Sequence, residues 1–261
     1  MSSDTTVSHG DVTLPVTRSG SGPQLVFING AGATQVAWKA VIADLPGYES
    51  ITFDLRGHGK ASTASTYKVA DFLSDVEAVL AEVQADRPIL IGWSLGADLA
   101  LAYAAAHPGA VAGLVLVDGA VPIQQPLVTD AKAMRASVTS LGTKLAMLLV
   151  RLTPYRYAMP GNAFADLTLE VDERRQHHLL DTYRALDCPV SMLLATDTAT
   201  GHDAKAERVN RTWREGAEVL QVADPDITVQ WIEGNHKLPF SHPADIAAAI
   251  NALSKQVQQP K

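Results

Sequence analysis

Short apolar runs alternate with helical patterns along most of this sequence, and few architectures accept that rhythm. Residues 24–29 (QLVFIN), 51–54 (ITFD), 88–92 (PILIG) and 111–118 (VAGLVLVD) lack the polar alternation of a strand with one wet face. They read as strands buried on both sides, which a parallel sheet covered by helices requires. Residues 190–195 and 227–232 supply two more, and residues 5–9 and 12–18, split by His9-Gly10-Asp11, form an opening hairpin. Between the runs, Val69, Phe72, Leu73, Val76, Val79, Leu80 and Val83 recur at helical spacing and predict a helix over 68–85. An Ala-rich helix over 95–106 is stopped by His107-Pro108-Gly109, another spans 204–220, and the last starts near Pro243. The fold class is therefore α/β, with a mostly parallel twisted sheet flanked by helices.

One stretch breaks the rhythm. Residues 120–186 contain no strand-like run and read as helices, including 129–150 and 167–185. A helical insertion in a strand–helix array sits above the sheet as a cap. The expected organisation is a core of residues 1–119 and 187–261 with a helical cap of 120–186, inserted after the sixth strand. Met134, Met147 and Met159 lie in the cap, where thioethers suit an adaptable apolar surface or an ordinary core equally well. Residues 119–165 also hold Lys132, Arg135, Lys144, Arg151 and Arg156 against one acid, Asp130. Most such charge is a solvated helix face; attraction of anionic substrates is the sharper reading.

Composition narrows the function classes. With 261 residues, 47% hydrophobic and 19% charged, the chain has ample apolar surface for a packed core. A single cysteine, Cys188, excludes an internal disulfide and any multi-cysteine metal site, and Cys188 itself reads as a small packed hydrophobe. The net charge of −7 offers no basic stripe for a phosphate backbone, so nucleic acid is not an expected partner. The opening residues lack the basic and apolar regions of a signal peptide, and the apolar stretches are far shorter than the ~20 residues of a membrane span. The expectation is a soluble, cytoplasmic protein with a small-molecule partner, no membrane, no metal and no cofactor. No motif speaks to its oligomeric state.

Gly92-Trp93-Ser94-Leu95-Gly96 matches G-x-S-x-G at the end of a predicted strand and the start of a predicted helix. That strand–turn–helix context is what a nucleophile elbow needs: small residues flank a serine whose hydroxyl stands at the helix N-terminus. The blander alternative is a Gly-rich turn whose serine only caps the helix. Ser94 is taken as the nucleophile, and a serine hydroxyl needs a base. Of eight histidines, His236 is placed best, in Glu233-Gly234-Asn235-His236 after the 227–232 strand, at the sheet edge where catalytic groups collect. His177 and His178 are adjacent on a helix and face apart, His9 sits in a turn, His107 ends a helix and His242 precedes Pro243.

Four landmarks together resemble the α/β-hydrolase superfamily in its cap-bearing, single-domain serine hydrolase form: QLVFINGAG, Asp54-Leu-Arg-Gly-His-Gly59 with Ser62, GWSLG, and the GNH loop followed by Pro243. The resemblance runs over nearly the whole chain and implies an α/β-hydrolase fold. It implies oxyanion donors at the amides of Leu95 and of Ala31, in the Asn29-Gly30-Ala31-Gly32 turn, with Gly30 and Trp93 in the binding set. Asn29 departs from the histidine usual there, and His58 is implied to shape a loop. The family's acid mostly follows the strand at 190–195, but here Ala195 stands in the place of the glycine and Thr198 in that of the acid. Asp118, at the end of the 111–118 strand, is set first as the acid; Asp197, one residue early, and Asp203 are the alternatives. The resemblance implies a serine hydrolase of a small, largely apolar carbonyl compound, an ester or lactone or a C–C bond. The rivals are a slow or silent ligand-binding receptor, a cofactor-free oxygenase and a perhydrolase. Serine at the elbow argues against the dehalogenase and epoxide hydrolase branches, which use aspartate there.

Overall fold

The computed structural model describes residues 2–150, 153 and 156–258. Arg151, and the side chains of Lys144 and Met147, fall outside what it describes. Among the described residues eight strands form one sheet: β1 (Ser2–His9), β2 (Val12–Gly20), β3 (Gln24–Ile28), β4 (Glu49–Phe53), β5 (Ile89–Trp93), β6 (Gly113–Val117), β7 (Val190–Asp197) and β8 (Thr228–Asn235). Their order is β1-β2-β4-β3-β5-β6-β7-β8, antiparallel at β1–β2 and β2–β4 and parallel elsewhere. The chain runs from β3 outward to β4, then crosses to the other side of β3 at β5. The carboxyl ends of β3 and β5 therefore flank the switch point, where open α/β sheets form their crevice.

Both faces of the central strands β3 to β6 are dry, as the continuous apolar runs require, while β1, β2 and β8 at the edges carry exposed positions. Val26, Leu90, Leu114 and Met192 pack on one side with α2 (Val69–Glu82) and α3 (Leu95–Ala106). Leu25, Phe27, Ile91, Val115 and Leu193 pack on the other with α1 (Lys39–Ala43) and with Ile246, Ile250 and Leu253 of a C-terminal helix, residues 243–258. The predicted 68–85 helix ends at Glu82, and its stripe Val69, Phe72, Val76, Val79 and Leu80 is buried as the spacing demanded. α3 is apolar all round because it lies between sheet and insertion, with Leu95, Leu99 and Leu101 all buried. α1, five residues long, is too short to carry a periodic signal.

The insertion differs in detail from its reading. The single helix expected over 129–150 is two, α4 (Ala131–Thr139) and α5 (Leu141–Val150). Ser140 between them is extended (φ −61, ψ 155), and its hydroxyl accepts the Thr143 amide at 3.2 Å, so it caps the second helix. The helix expected over 167–185 is α6 (Gly161–His177) and α7 (Leu179–Arg184), divided at His178. Past β7 come α8 (Ala204–Ala223), α9 (Leu238–Ser241) and α10 (Pro243–Gln258). Among the described residues no helix is long and apolar enough to cross a membrane.

Candidate active site

The turn from β5 into α3 forces Ser94 into φ 55, ψ −119, a strained conformation for a residue with a side chain. Its neighbours make that turn sterically unique. A Cβ on Gly92 would come 2.3 Å from the carbonyl oxygen of Gly96, and one on Gly96 2.0 Å from that of Ile28. The Ser94 amide donates to the Val117 carbonyl at 3.0 Å, tying the strained residue to β6.

His236 follows directly on β8, and the structure brings it to Ser94. Its Nε2 lies 2.9 Å from Ser94 Oγ, and its Nδ1 lies 2.7 Å from Asp118 Oδ2. A carboxylate only accepts, so Nδ1 carries the proton and Nε2 presents its lone pair to the serine hydroxyl. Asp118 is fully buried just past β6, at φ 42. Its Oδ1 accepts from the Ala195 amide at 3.0 Å and the Trp213 indole at 2.9 Å, and its Oδ2 from the Thr198 hydroxyl at 2.6 Å as well as from His236. Burial pushes this carboxyl up, but the bonds from His236, Thr198 and Ala195 outweigh it and hold the group below its ordinary range.

The other two carboxylates weighed from sequence lie elsewhere. Asp197 is exposed at the end of β7, where the register with β8 shifts, and it accepts from the adjacent Thr196 hydroxyl. Asp203 accepts the Ala206 amide at 2.8 Å and caps α8. Trp93 also differs from its expected place in a substrate-binding set. With Ile89 and Ile91 it alternates onto the sheet face that packs against α10, so its indole turns away from the serine. There its N–H donates to the His236 carbonyl at 2.8 Å, and its ring centroid lies 5.6 Å from the imidazole. Trp213 was missed by sequence reasoning; the available signal was a bulky indole in a polar helix, which needs a partner for its N–H when buried.

The turn after β3 faces the elbow. Asn29 is fully buried and pins it, donating to the Phe53 carbonyl at 2.8 Å and accepting from the Trp38 indole at 2.7 Å. Gly30 approaches so closely that an added Cβ would sit 3.0 Å from the Ser94 Cβ. His58 holds Gly32, two residues on: its Nδ1 donates to the Arg56 carbonyl at 2.8 Å, and its Nε2 accepts the Gly32 amide at 2.9 Å. Burial lowers its pKa to about 4, which keeps the ring neutral and Nε2 free to accept. Arg56 is in turn clamped by Asp75 through two bonds of 2.7 Å. Among the described residues the amides of Ala31 and Leu95 take no hydrogen-bond acceptor.

Beside Ala31 opens a cavity of about 900 Å³ under the insertion, lined by Val138, Leu148, Val150, Met159 and Phe164 among others. No charged side chain is among its described lining residues. Among the described residues no group of three or more His, Cys, Asp or Glu side chains is arranged to hold a metal ion.

The profile of a family described as alpha/beta hydrolase fold matches residues 23–148. A 2-(acetamidomethylene)succinate hydrolase of Mesorhizobium japonicum is 31% identical over 114 residues, which span 43% of this chain and 41% of that protein. The chain thus aligns with under half the length of that curated relative. Among solved structures, a bromoperoxidase from Bacillus anthracis superposes with a TM-score of 0.77 at 17% identity, covering 97% of this chain and 100% of its own. A thermophilic esterase from Thermogutta terrifontis superposes with a TM-score of 0.74 at 19% identity, covering 99% of this chain and 100% of its own.

Proposed function

Taking as premise that this chain is an α/β-hydrolase-fold protein, we propose that it is a serine hydrolase of a small, largely apolar ester or lactone, acting through Ser94, His236 and Asp118. The observation that carries this reading is the unbroken relay of 2.9 Å from Ser94 Oγ to Nε2 and 2.7 Å from Nδ1 to Asp118 Oδ2. Ser94 Oγ attacks the carbonyl carbon as its proton passes to Nε2 of His236. Asp118 stabilises the imidazolium and fixes its tautomer. The amides of Ala31 and Leu95 receive the oxyanion, a contribution of about 3 kcal/mol for each such donor. His236 then returns its proton to the leaving oxygen, and a water activated by the same imidazole releases the acyl group.

The apolar cavity beside Ala31 supports a neutral acyl or alkyl group as the bulk of the substrate. The Mesorhizobium relative is named for a succinate, which carries two carboxylates. With no cationic side chain among the described lining, that substrate is not carried over.

A panel of esters of increasing acyl length and lactones of increasing ring size tests competence and pocket size together. Turnover that Ser94→Ala abolishes while leaving the fold intact is expected. Residual activity above about a tenth of wild type would remove the nucleophile assignment, since loss of a triad serine costs many orders of magnitude. A folded protein silent across the whole panel would favour the receptor reading, and oxygen uptake without ester cleavage the oxygenase.

A further inference from the structure

Thr198 takes no part in the bond-making steps above, yet it lies where the acid and the base meet. Its hydroxyl donates to Asp118 Oδ2 at 2.6 Å and lies 3.4 Å from His236 Nδ1. The same carboxylate oxygen thus receives both the threonine hydroxyl and the imidazole N–H, while Oδ1 is held by Ala195 and Trp213. The loop carrying Thr198 is itself held. Buried Asn210 on α8 accepts the Ala199 amide at 2.8 Å and donates to the Ala199 carbonyl at 3.0 Å. One turn further along α8, Trp213 supplies the indole that fixes Asp118. A single helix therefore sets the carboxylate and the hydroxyl against one another, and a quarter turn of the carboxylate about its Cβ–Cγ bond would disturb all four bonds.

Resting on the hydrolase reading, we infer that Thr198 is a positioning residue that locks Asp118 Oδ2 onto the imidazole.

Steady-state hydrolysis of 4-nitrophenyl acetate by the full chain tests it. Thr198→Val keeps the shape and loses the hydroxyl; kcat is expected to fall at least about tenfold, the loss typical of a hydrogen bond to a charged group, with KM within about twofold. Thr198→Ser is expected to recover most of that loss, which a purely structural role of the methyl group would not allow. Asp118→Asn, which removes the acid that Thr198 positions, is expected to fall much further, by about four orders of magnitude through the wrong tautomer. A Thr198→Val enzyme with wild-type kcat, or a serine variant no better than valine, overturns the positioning role. A wild type whose turnover survives Ser94→Ala overturns the hydrolase reading itself and this inference with it.

Discussion

The two halves of the helical insertion are held to the sheet by different physics. The half formed by α6 and α7 is bolted down. Arg175 on α6 makes two bonds to Asp98 on α3, of 3.0 and 2.6 Å, and its guanidinium lies 5.1 Å from the Trp213 ring centroid. Asp172 accepts the amides of Leu127 and Val128, and the Tyr183 hydroxyl donates to the Ala120 carbonyl at 2.7 Å. Among the described residues the half formed by α4 and α5 shows no such anchor to the core. α4 buries none of its residues, and α5 leaves Leu141, Leu145, Leu148 and Leu149 exposed. The bolted half reaches Trp213, the partner of Asp118, through Arg175; the loose half lines the cavity through Val138, Leu148 and Val150, and the start of α6 closes it through Phe164. On the proposed reading the setting of Asp118 leans on the anchored half, while most of the insertion's apolar lining of the cavity comes from the exposed one.

The largest expected break in this contrast comes from the bolt. Arg175→Met leaves Asp98 buried and unpaired and is expected to cost about 3–5 kcal/mol, read as a large drop in the unfolding midpoint in denaturant. Adding Asp98→Leu is expected to recover much of it, because the uncompensated charge goes too. A single variant as stable as wild type would deny that the two halves differ.

The junction between the halves is sharpened by pH. His58 packs edge-on against Tyr157 at the end of the loose half, with centroids 4.9 Å apart, while its Nε2 holds the turn facing Ser94. Its folded pKa of about 4 lies below the ordinary 6.5, so the unfolded chain takes up this proton first as pH falls. Its neutral-state stability is therefore complete above about 6.5, drains as pH falls toward 4, and is constant below, a total of about 3 kcal/mol for this group. His58→Asn should flatten the stability slope between pH 6.5 and 4, whatever it does to the absolute midpoint. An unchanged slope, measured by urea unfolding, would place the ring's proton elsewhere.

The smallest effect is expected on the loose half. Leu145→Ser, on the exposed face of α5, should shift stability by less than about 0.5 kcal/mol, as surface substitutions do. A loss of several times that would mean α5 is packed in solution in a way its exposed leucines do not suggest.

What could be read in the sequence tracks how local each feature is. The elbow lies within five consecutive residues whose small neighbours are themselves the requirement, so Ser94 stood out. His236 needed only a strand and a loop. The setting of the acid was harder, because Asp118, Thr198 and Trp213 come from three separate elements and share no spacing. That Thr198 occupied the expected acid place was visible; that its hydroxyl would face Asp118 was not. The break at Ser140 was hidden because helical periodicity continues through it, and α1 and α9 are shorter than any period. Trp93 was placed beside substrate by its neighbourhood to Ser94, but β-strand alternation sends adjacent side chains to opposite faces.

Covalent labelling with a fluorophosphonate, mapped to peptides by mass spectrometry, tests the relay most directly. One adduct on Ser94 is predicted, formed far more slowly in Asp118→Asn and at the wild-type rate in Asp197→Asn. Folded protein that takes no label, or that is slowed equally by both substitutions, would contradict it.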